Sequence, residues 1–504
     1  MKNDLYLLGI DISTTSAKAL IINDKGKIIA SATSKIHLYT PKPLWSEQDP
    51  NEWWKGIVKS IQIAIKQANI LPEEIKAIGL TGQMHSLVVL DTKGTVLRPA
   101  ILWNDQRTAA ECEQITKLIG MHQIIQICGN QPLPGFTAPK ILWIRNNEPS
   151  IYPSIAHILL PKDYIRYHLT GDYAMDKADG SGTILFDLQT RNWSQALLDK
   201  LELPYEWFPP TFEGPEITGL VSDFAAKMTG LQKGTPVVAG GGDQAAQAIG
   251  VGVVENNKIA ITLGTSGVVF VPTDKPFIEP NGRLHSFCHA IPNTWHLMGV
   301  MLSAAGSLQW YHDQFAPTVA LGKLIEQSKN IPAGCEGLFF LPYLTGERTP
   351  HADPYARGAF IGLTIRHTRA HLTRAVLEGV AYGMRDNFEL IKNTLIENNK
   401  ANSNNAEKLQ IYLSGGGTKS TLWTQMLANI LNKELYLVNT TEGAAYGAAL
   451  LAGVGVGIWE SVQKACQEVI VINQIINPEP SIAADYENLY QKFRQLYPAL
   501  KPYY

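Results

Sequence analysis

The chain has 504 residues, enough for more than one domain, since single cores seldom grow beyond about 250–300 residues. It is 45% hydrophobic and 17% charged, and its 43 basic and 45 acidic side chains leave a net charge of -2. That balance gives no electrostatic reason to expect nucleic acid or an anionic membrane as partner. The five cysteines (Cys112, Cys128, Cys288, Cys335, Cys466) are odd in number, scattered and without a CxxC pair, which argues against a disulfide framework and a zinc site. Asp4 and Asp11 bracket an apolar run too short for a signal peptide, and no stretch approaches the roughly 20 residues of a spanning helix. The cytoplasm is the expected location.

Leu5 to Ile10 and Ala17 to Ile22 are apolar runs on either side of Asp11-Ile12-Ser13-Thr14-Thr15-Ser16, and Asn23-Asp24-Lys25-Gly26 turns the chain into Lys27 to Ser31. The pattern predicts strand, polar turn, strand, hairpin, strand, with Gly26 suited to the positive φ of a hairpin. The first turn packs one carboxylate and four hydroxyls into six residues. Hydroxyls and free N–H groups in a turn can cradle phosphate oxygens, and the carboxylate can hold a hydrated divalent cation. An ordinary polar turn would read the same way. Asp49, Pro50 and Glu52 fit the N-cap, first-turn and reciprocal capping positions of a helix whose Trp53, Ile57, Ile61 and Ile65 share one face.

Ile75 to Leu80 is the next strand, ending in Thr81-Gly82-Gln83-Met84-His85-Ser86. Leu87 to Leu90, a turn at Asp91-Thr92-Lys93-Gly94, and Val96 to Leu102 predict a hairpin closing on Trp103-Asn104-Asp105-Gln106-Arg107. These two clusters join directional polar groups to an apolar wall, as a polyol or sugar requires; a strand-end His also fits a structural role. Pro132 to Lys140 is a rigid loop leading into a helix near Pro139, and Pro161-Lys162-Asp163-Tyr164 opens another. Asp176 to Gly182 reads as a polar turn facing a cleft, and Glu202 to Glu216 as a surface connection.

Near mid-chain, Pro236 to Ala239 ends a strand, and Gly240-Gly241-Gly242 turns without side chains in a ligand's way. Asp243 follows, at the mouth of a small-residue helix, Gln244 to Gly250. A carboxylate there can accept a proton from a bound substrate; it can equally be the N-cap of that helix. Lys258 to Leu263, Gly264-Thr265-Ser266-Gly267 and Val268 to Pro272 then repeat the N-terminal strand–turn–strand form. The repetition suggests a duplicated architecture with two phosphate-facing hairpins opposed across a cleft. Leu302 to Trp310 starts a helix around Gly306, and Leu341 to Pro354 is a loop with Glu347, Arg348 and His351. His371 to Asn387 is a helix, and Lys400 to Asn405 an Asn-rich insert expected to be a mobile surface loop. Leu409 to Leu413 is a strand leading into Ser414-Gly415-Gly416-Gly417-Thr418-Lys419-Ser420, a turn against which a flat, adenine-sized group can lie. Glu442 to Ala449 is a close-packing helix of small residues, and Tyr486 to Leu500 an amphipathic one.

From Tyr6 to about Gly453 these stretches together resemble the FGGY family of carbohydrate kinases. Asp11 to Lys18 resembles the family's first phosphate loop, Gly264 to Gly267 the second, and Ser414 to Gly417 the adenosine loop. Phe136 to Asn147, with Lys140 and Trp143, is similar to one family signature, and Gly358 through Gly362, His371 and Glu378 to the other. The resemblance implies an α/β fold of two actin-like, hexokinase-like ATPase domains of the ribonuclease H-like kind, over 1–248 and 249–504, with a cleft between them. It implies transfer of the ATP γ-phosphoryl group to a sugar hydroxyl with Mg²⁺. Asp243 would accept the proton and Asp11 would hold Mg²⁺, with Asp243 beside it. Thr14, Thr15, Ser16, Gly264 and Thr265 would bind phosphate oxygens, and Gly306, Gly415, Gly416 and Ser420 would line the nucleotide site. Met84, His85, Asn104, Asp105 and Asp243 would contact the sugar. Within the family, Gly82 to His85, Ile101 to Asp105 and Gly135 to Lys140 are most similar to the members that phosphorylate D-xylulose, with gluconate and L-ribulose kinases next. Gln244, where Asn is expected, and Ser86, where Gly is frequent, depart from that pattern near the expected sugar pocket. The expected partners are a small sugar and ATP, with neither nucleic acid nor membrane, and a homodimer is compatible. A non-catalytic sugar sensor on the same fold is the alternative.

Overall fold

The computed structural model describes residues 5–398, 409–440 and 442–504; the Asn-rich insert at 400–405 lies outside them. β1 (Tyr6–Ile12), β2 (Ser16–Asn23) and β3 (Ile28–Lys35) form an antiparallel meander. The apolar runs of β1 and β2 are buried on both faces, which is why they read as continuous rather than alternating. Gly26 takes φ +72° between β2 and β3. α1 (Pro50–Ala68) covers the sheet with Trp53, Ile57 and Ile61, and Asp49 caps it by accepting the Asn51 N–H at 2.9 Å. Glu52 does not cap in return; it accepts the Tyr39 hydroxyl at 2.8 Å.

β4 (Ile75–Gly82) adds in parallel to β1, and β5 (Ile217–Leu220), β6 (Pro236–Val238) and β7 (Gly241–Gly242) complete a 7-stranded sheet of order β5-β6-β4-β1-β2-β3, with β7 on β4. Between β4 and β5 lie α2 (Thr137–Asn147), α3 (Pro161–Thr170) and α4 (Lys177–Ser181). α5 (Asp243–Gly250) leaves the glycine turn.

The second sheet has 7 strands in the order β10-β11-β9-β8-β12-β13-β14, where β8 is Lys258–Leu263, β9 Gly267–Thr273, β10 His285–Cys288, β11 Trp295–Met301, β12 Gln410–Ser414, β13 Leu435–Val438 and β14 Ile472–Ile476. Its helices are α6 (Ala305–Phe315), α7 (Arg369–Asn398), α8 (Thr421–Leu431), α9 (Gly443–Gly455) and α10 (Pro480–Leu500). Both sheets share one plan: three antiparallel strands, β1-β2-β3 or β8-β9-β11, with a parallel strand, β4 or β12, on the far side of the first. This is the duplicated actin-like α/β fold.

The halves interlock. α9 comes from the second half but packs on β1 and β4. Gly9 and Gly79 permit it: a Cβ on either would stand 1.9 Å from the Ala445 carbonyl oxygen or 1.8 Å from that of Ala448. Leu7, Ile22, Ala245, Ile249, Ala445 and Leu450 share one buried cluster there, which explains the small-residue pattern of α9.

Residues 87–102 form the expected hairpin through the antiparallel bridges Leu87–Ile101 and Leu90–Val96, and its arms also pair outward, Val88–Leu90 with His157–Leu159 and Ala100–Ile101 with Glu47–Gln48. Two expectations are corrected. Asp176 to Gly182 is not an open polar turn but holds the buried helix α4, because its acids are neutralised by Lys162 from α3. Residues 202–216 are not only a surface connection, since Leu203, Trp207 and Phe208 are core residues.

Candidate active site

Asp11 closes β1 and Asp243 opens α5, so parallel pairing around β4 brings the two strand ends together. The N-cap of α5 is Gly242, and Asp243 occupies the first helical position. The capping reading of Asp243 therefore fails. Asp243 is partly exposed; burial among its neighbours raises its carboxyl from 3.8 to about 6, opposed by hydrogen bonds from the side chain and backbone of Gln244. The Asn-to-Gln departure thus still serves Asp243. Burial, then the charge of Asp243, raises Asp11 from 3.8 to about 7. Lys18, opposite Asp11 in the β1–β2 register, pulls it down and is itself tied to Glu442 at 2.7 Å.

The Asp11 Oδ1 atom is buried and has no hydrogen-bond partner among the described residues. An orphaned carboxylate oxygen beside a second carboxylate suits a cation better than a hydrogen bond. Among the described residues no three His, Cys, Asp or Glu side chains could cage a metal. The donor set therefore fits Mg²⁺ bound through one or two carboxylates, water and phosphate oxygens, not a dedicated protein cage.

The two hairpin turns are built alike. In the first, the Ser13 N–H and hydroxyl both donate to the Ser16 carbonyl, at 2.9 and 3.1 Å, and Thr15 stands exposed at the tip. The Thr14 hydroxyl is already engaged: it accepts from the Trp103 indole at 2.9 Å and donates to Gln83 Oε1 at 3.4 Å. In the second, the Gly264 N–H donates to the Ser266 carbonyl at 3.1 Å, and exposed Thr265 is anchored through its carbonyl by the N–H groups of Ala304 and Gly306. α5 links this half to Asp243, since Gln247 Nε2 donates to Ser414 Oγ at 3.3 Å at the end of β12.

Gly264, Thr265, Gly306, Gly416 and Ser420 line one cavity of about 900 Å³, within the usual range for a small-molecule site. A Cβ on Gly416 would meet nothing within 4 Å, so this backbone is free to receive a flat group. Gly415 borders an adjoining cavity of about 600 Å³ with Gln247 and Ser414. Ser420 also caps α8 through the Trp423 N–H at 3.2 Å. Leu321 and Ile325, which complete the apolar wall, carried no signal in the sequence because the short helix bearing them folds against the cavity only in three dimensions.

On the other side, Met84 and His85 sit where Asp243 emerges: a Cβ on Gly242 would be 2.8 Å from Met84 Cγ. His85 takes φ +66°, and its carbonyl is held by the Lys140 ammonium at 2.9 Å and the Thr137 hydroxyl at 3.0 Å. Burial drives the His85 ring down to about 3, so it is neutral, and its Nδ1 is paired with the Gly182 carbonyl at 2.7 Å. Asn104 Oδ1 is buried without a hydrogen-bond partner among the described residues. Asp105 does not match its expected sugar contact. It is fully buried, and its oxygens accept from the Ser46 N–H at 2.7 Å and from Arg107 at 2.7 to 3.0 Å; Arg107 in turn lies 3.6 Å over Trp45. Ser86 does not face the pocket either; its hydroxyl accepts the Trp103 N–H at 3.1 Å and ties the two clusters together. Arg348 joins this region from the second half, and its place in a Pro/Gly-containing loop gave no sign of that. Its Nη2 is 3.6 Å from the point that a Cβ on Gly135 would occupy, and its charge lowers His85, Lys140 and His285 alike.

The chain matches the N-terminal domain of the FGGY family of carbohydrate kinases over residues 6–250 and the C-terminal domain over 259–456. It is 40% identical over 496 residues to the xylulose kinase of Escherichia coli K12, covering 98% of this chain and 99% of that one. The solved structure of a xyloylose kinase from Brucella ovis superposes with a TM-score of 0.90 at 37% identity, over 99% of this chain and 100% of that chain. A gluconate kinase from Lactobacillus acidophilus superposes with a TM-score of 0.91 at 27% identity, over 99% and 98%. With both family domains matched in order along one chain and a full-length relative at 40% identity, the chain belongs to the FGGY family of carbohydrate kinases and is a sugar-phosphorylating transferase.

Proposed function

We propose that this protein transfers the γ-phosphoryl group of ATP to D-xylulose, giving D-xylulose 5-phosphate and ADP. The observation that carries the reading is the carboxylate pair Asp11 and Asp243 beside the Met84 and His85 turn, the latter acid on a helix that Gln247 ties to the strand end at Ser414. The choice of sugar rests on the xylulose kinase that is 40% identical along nearly the whole chain. The halves 1–248 and 249–504 would divide the work, the first holding the sugar and the second the nucleotide. A cytoplasmic location goes with this reading, since it uses ATP.

Asp243 accepts the proton of the attacking hydroxyl as its oxygen bonds to the γ-phosphorus and the bond to the bridging oxygen breaks. A carboxylate raised to about 6 is a stronger base than an ordinary one and is still mostly ionised at neutral pH. Thr15, Ser16 and Thr265 bind phosphate oxygens at the turn tips, and Thr14 braces the first turn through Trp103. Met84, His85 and Asn104 orient the sugar. Asp11 and Asp243 would hold Mg²⁺, which when bound neutralises phosphate charge.

Gluconate is the second reading. Arg348 places a cation near His85, and a gluconate kinase superposes closely. A coupled ADP-release assay over D-xylulose, L-ribulose, gluconate and glycerol tests the choice. D-Xylulose is expected to give the largest kcat/KM; a larger value for gluconate overturns the reading. Glycerol should fall well behind, because it leaves pocket groups unpaired at about 1–3 kcal/mol each.

A further inference from the structure

Beneath the Gly240-Gly241-Gly242 turn lies a fully buried ionic cluster. Lys162 Nζ is 2.5 Å from Asp163 Oδ1, 2.7 Å from Asp176 Oδ1 and 3.0 Å from Asp179 Oδ2, and none of the four side chains is exposed. Arg166, one turn along α3 and equally buried, donates from Nη1 to the Val238 carbonyl at 2.9 Å and from Nη2 to the Ala239 carbonyl at 2.5 Å. These carbonyls immediately precede the glycine turn. Asp179 meets the turn from the other side: a Cβ on Gly242 would be 2.8 Å from its Oδ1.

α4 carries this contact and two others. Asp176 caps it through the Ala178 N–H at 2.7 Å, and it leads into Gly182, whose carbonyl holds the His85 ring. Ser181 Oγ accepts the Cys288 N–H from the second half at 2.9 Å. One five-residue helix therefore touches the Asp243 turn, the His85 turn and the opposite domain.

Buried ions cost several kcal/mol each in desolvation, and well-packed apolar residues often serve stability as well or better. The use of such a cluster is then geometric. Two cations face three carboxylates, and burial, opposed by the charge of Lys162, holds Asp179 well above the ordinary carboxylate range.

We propose that Lys162, Asp176 and Asp179 are positioning residues for phosphoryl transfer, holding the Gly242 turn against α4 so that Asp243 and His85 keep one separation. The inference rests on Asp243 being the proton acceptor. It is tested by a double-mutant cycle of Asp179→Ala and Gly242→Ala, read as kcat per folded enzyme and KM for ATP. Asp179→Ala leaves two cations and two carboxylates, so no buried charge is unmatched; Asp179→Ser takes its place should the Ala variant not fold.

Gly242→Ala should push the turn against Asp179 and lower kcat by about 10²-fold, the cost of a misplacement near 1 Å. The added Cβ would also stand 2.8 Å from Met84 Cγ and 3.1 Å from Met84 Sδ, a strain that removing Asp179 does not relieve, so the recovery in the double variant is partial. Asp179→Ala alone should lower kcat roughly 10-fold. The double variant should turn over faster than Gly242→Ala alone, with KM for ATP unchanged throughout because the nucleotide cavity lies in the second half. A purely structural cluster would change the folded fraction but leave kcat of folded Asp179→Ala at the wild-type value; that result, or losses that simply multiply, overturns the inference. Were Asp243→Asn to keep its turnover, the base reading would fail and take this inference with it. An inactive Asp243→Asn with no coupling in the cycle removes the positioning role alone.

Discussion

Asp243→Asn separates chemistry from stability. Asn keeps the size and a hydrogen-bonding oxygen, but its amide cannot accept a proton as the carboxylate does, so kcat should fall by roughly 10²–10⁴-fold. The structure also sets the sign of the stability change. Gly242, not Asp243, caps α5, so no cap is lost; the missing favourable charge at the helix start costs about 0.3–1 kcal/mol. Against this, the native carboxyl titrates at about 6 instead of 3.8. Above pH 6 the folded state therefore carries an ionised group that burial disfavours. A tenfold change in proton affinity is worth about 1.4 kcal/mol, so the penalty approaches about 3 kcal/mol and is smaller at a partly exposed site. The Asn variant should thus be at least as stable as the wild type at pH 8, still bind sugar and ATP, and be nearly inactive. The assays are ADP release at saturating Mg²⁺ and thermal melting over a pH series, with the Asn advantage growing as pH rises from about 4 to about 6 and level above that. A variant that keeps most of the wild-type kcat, or that melts several degrees lower at pH 8, refutes the reasoning.

Gly416→Val should raise KM for ATP at least tenfold while leaving KM for the sugar and the melting temperature nearly unchanged, because its Cβ enters open cavity and not packed protein; an unchanged ATP KM would place the nucleotide elsewhere. Glu347 is buried and raised from 4.5 to about 8, opposed by N–H donors from Leu302 and Arg348. The folded state therefore holds a proton that the unfolded chain has lost, and stability should decline as pH rises from about 4.5 to 8; Glu347→Gln should flatten that slope in chemical denaturation series, and an unchanged slope would assign it to other groups. The proposed function holds sugar and nucleotide on different halves, and transfer needs reacting atoms within about 3–3.5 Å, so sugar plus a non-hydrolysable ATP analogue should reduce the radius of gyration in small-angle scattering; equal values for free and doubly bound protein would count against closure.

Local patterns were legible where one run of residues decides its own geometry. The strand–turn–strand units at Leu5 to Ile22 and Lys258 to Pro272 could be read because buried strands are continuous apolar runs and their turns concentrate small and hydroxyl residues. α1 was equally legible, since Asp49 and Pro50 mark its start and a four-residue spacing marks its buried face. The composition of Glu442 to Ala449 predicted close packing, but the docking of α9 on β1 of the other half follows from Gly9 and Gly79, more than 360 residues away. The acids show the boundary most plainly. Asp11, Asp105, Asp179 and Asp243 each stand beside small or polar residues with nothing in the neighbouring sequence to tell their roles apart. Tertiary contacts alone gave Asp105 an arginine clamp, placed Asp179 against a buried lysine, and left an oxygen of Asp11 unpaired beside Asp243. The sequence by itself determined which segments become strands, turns and helices, because those choices rest on neighbours a few residues apart. What each carboxylate does was decided only by the tertiary structure, because desolvation and charge pairing depend on groups that meet across tens to hundreds of residues.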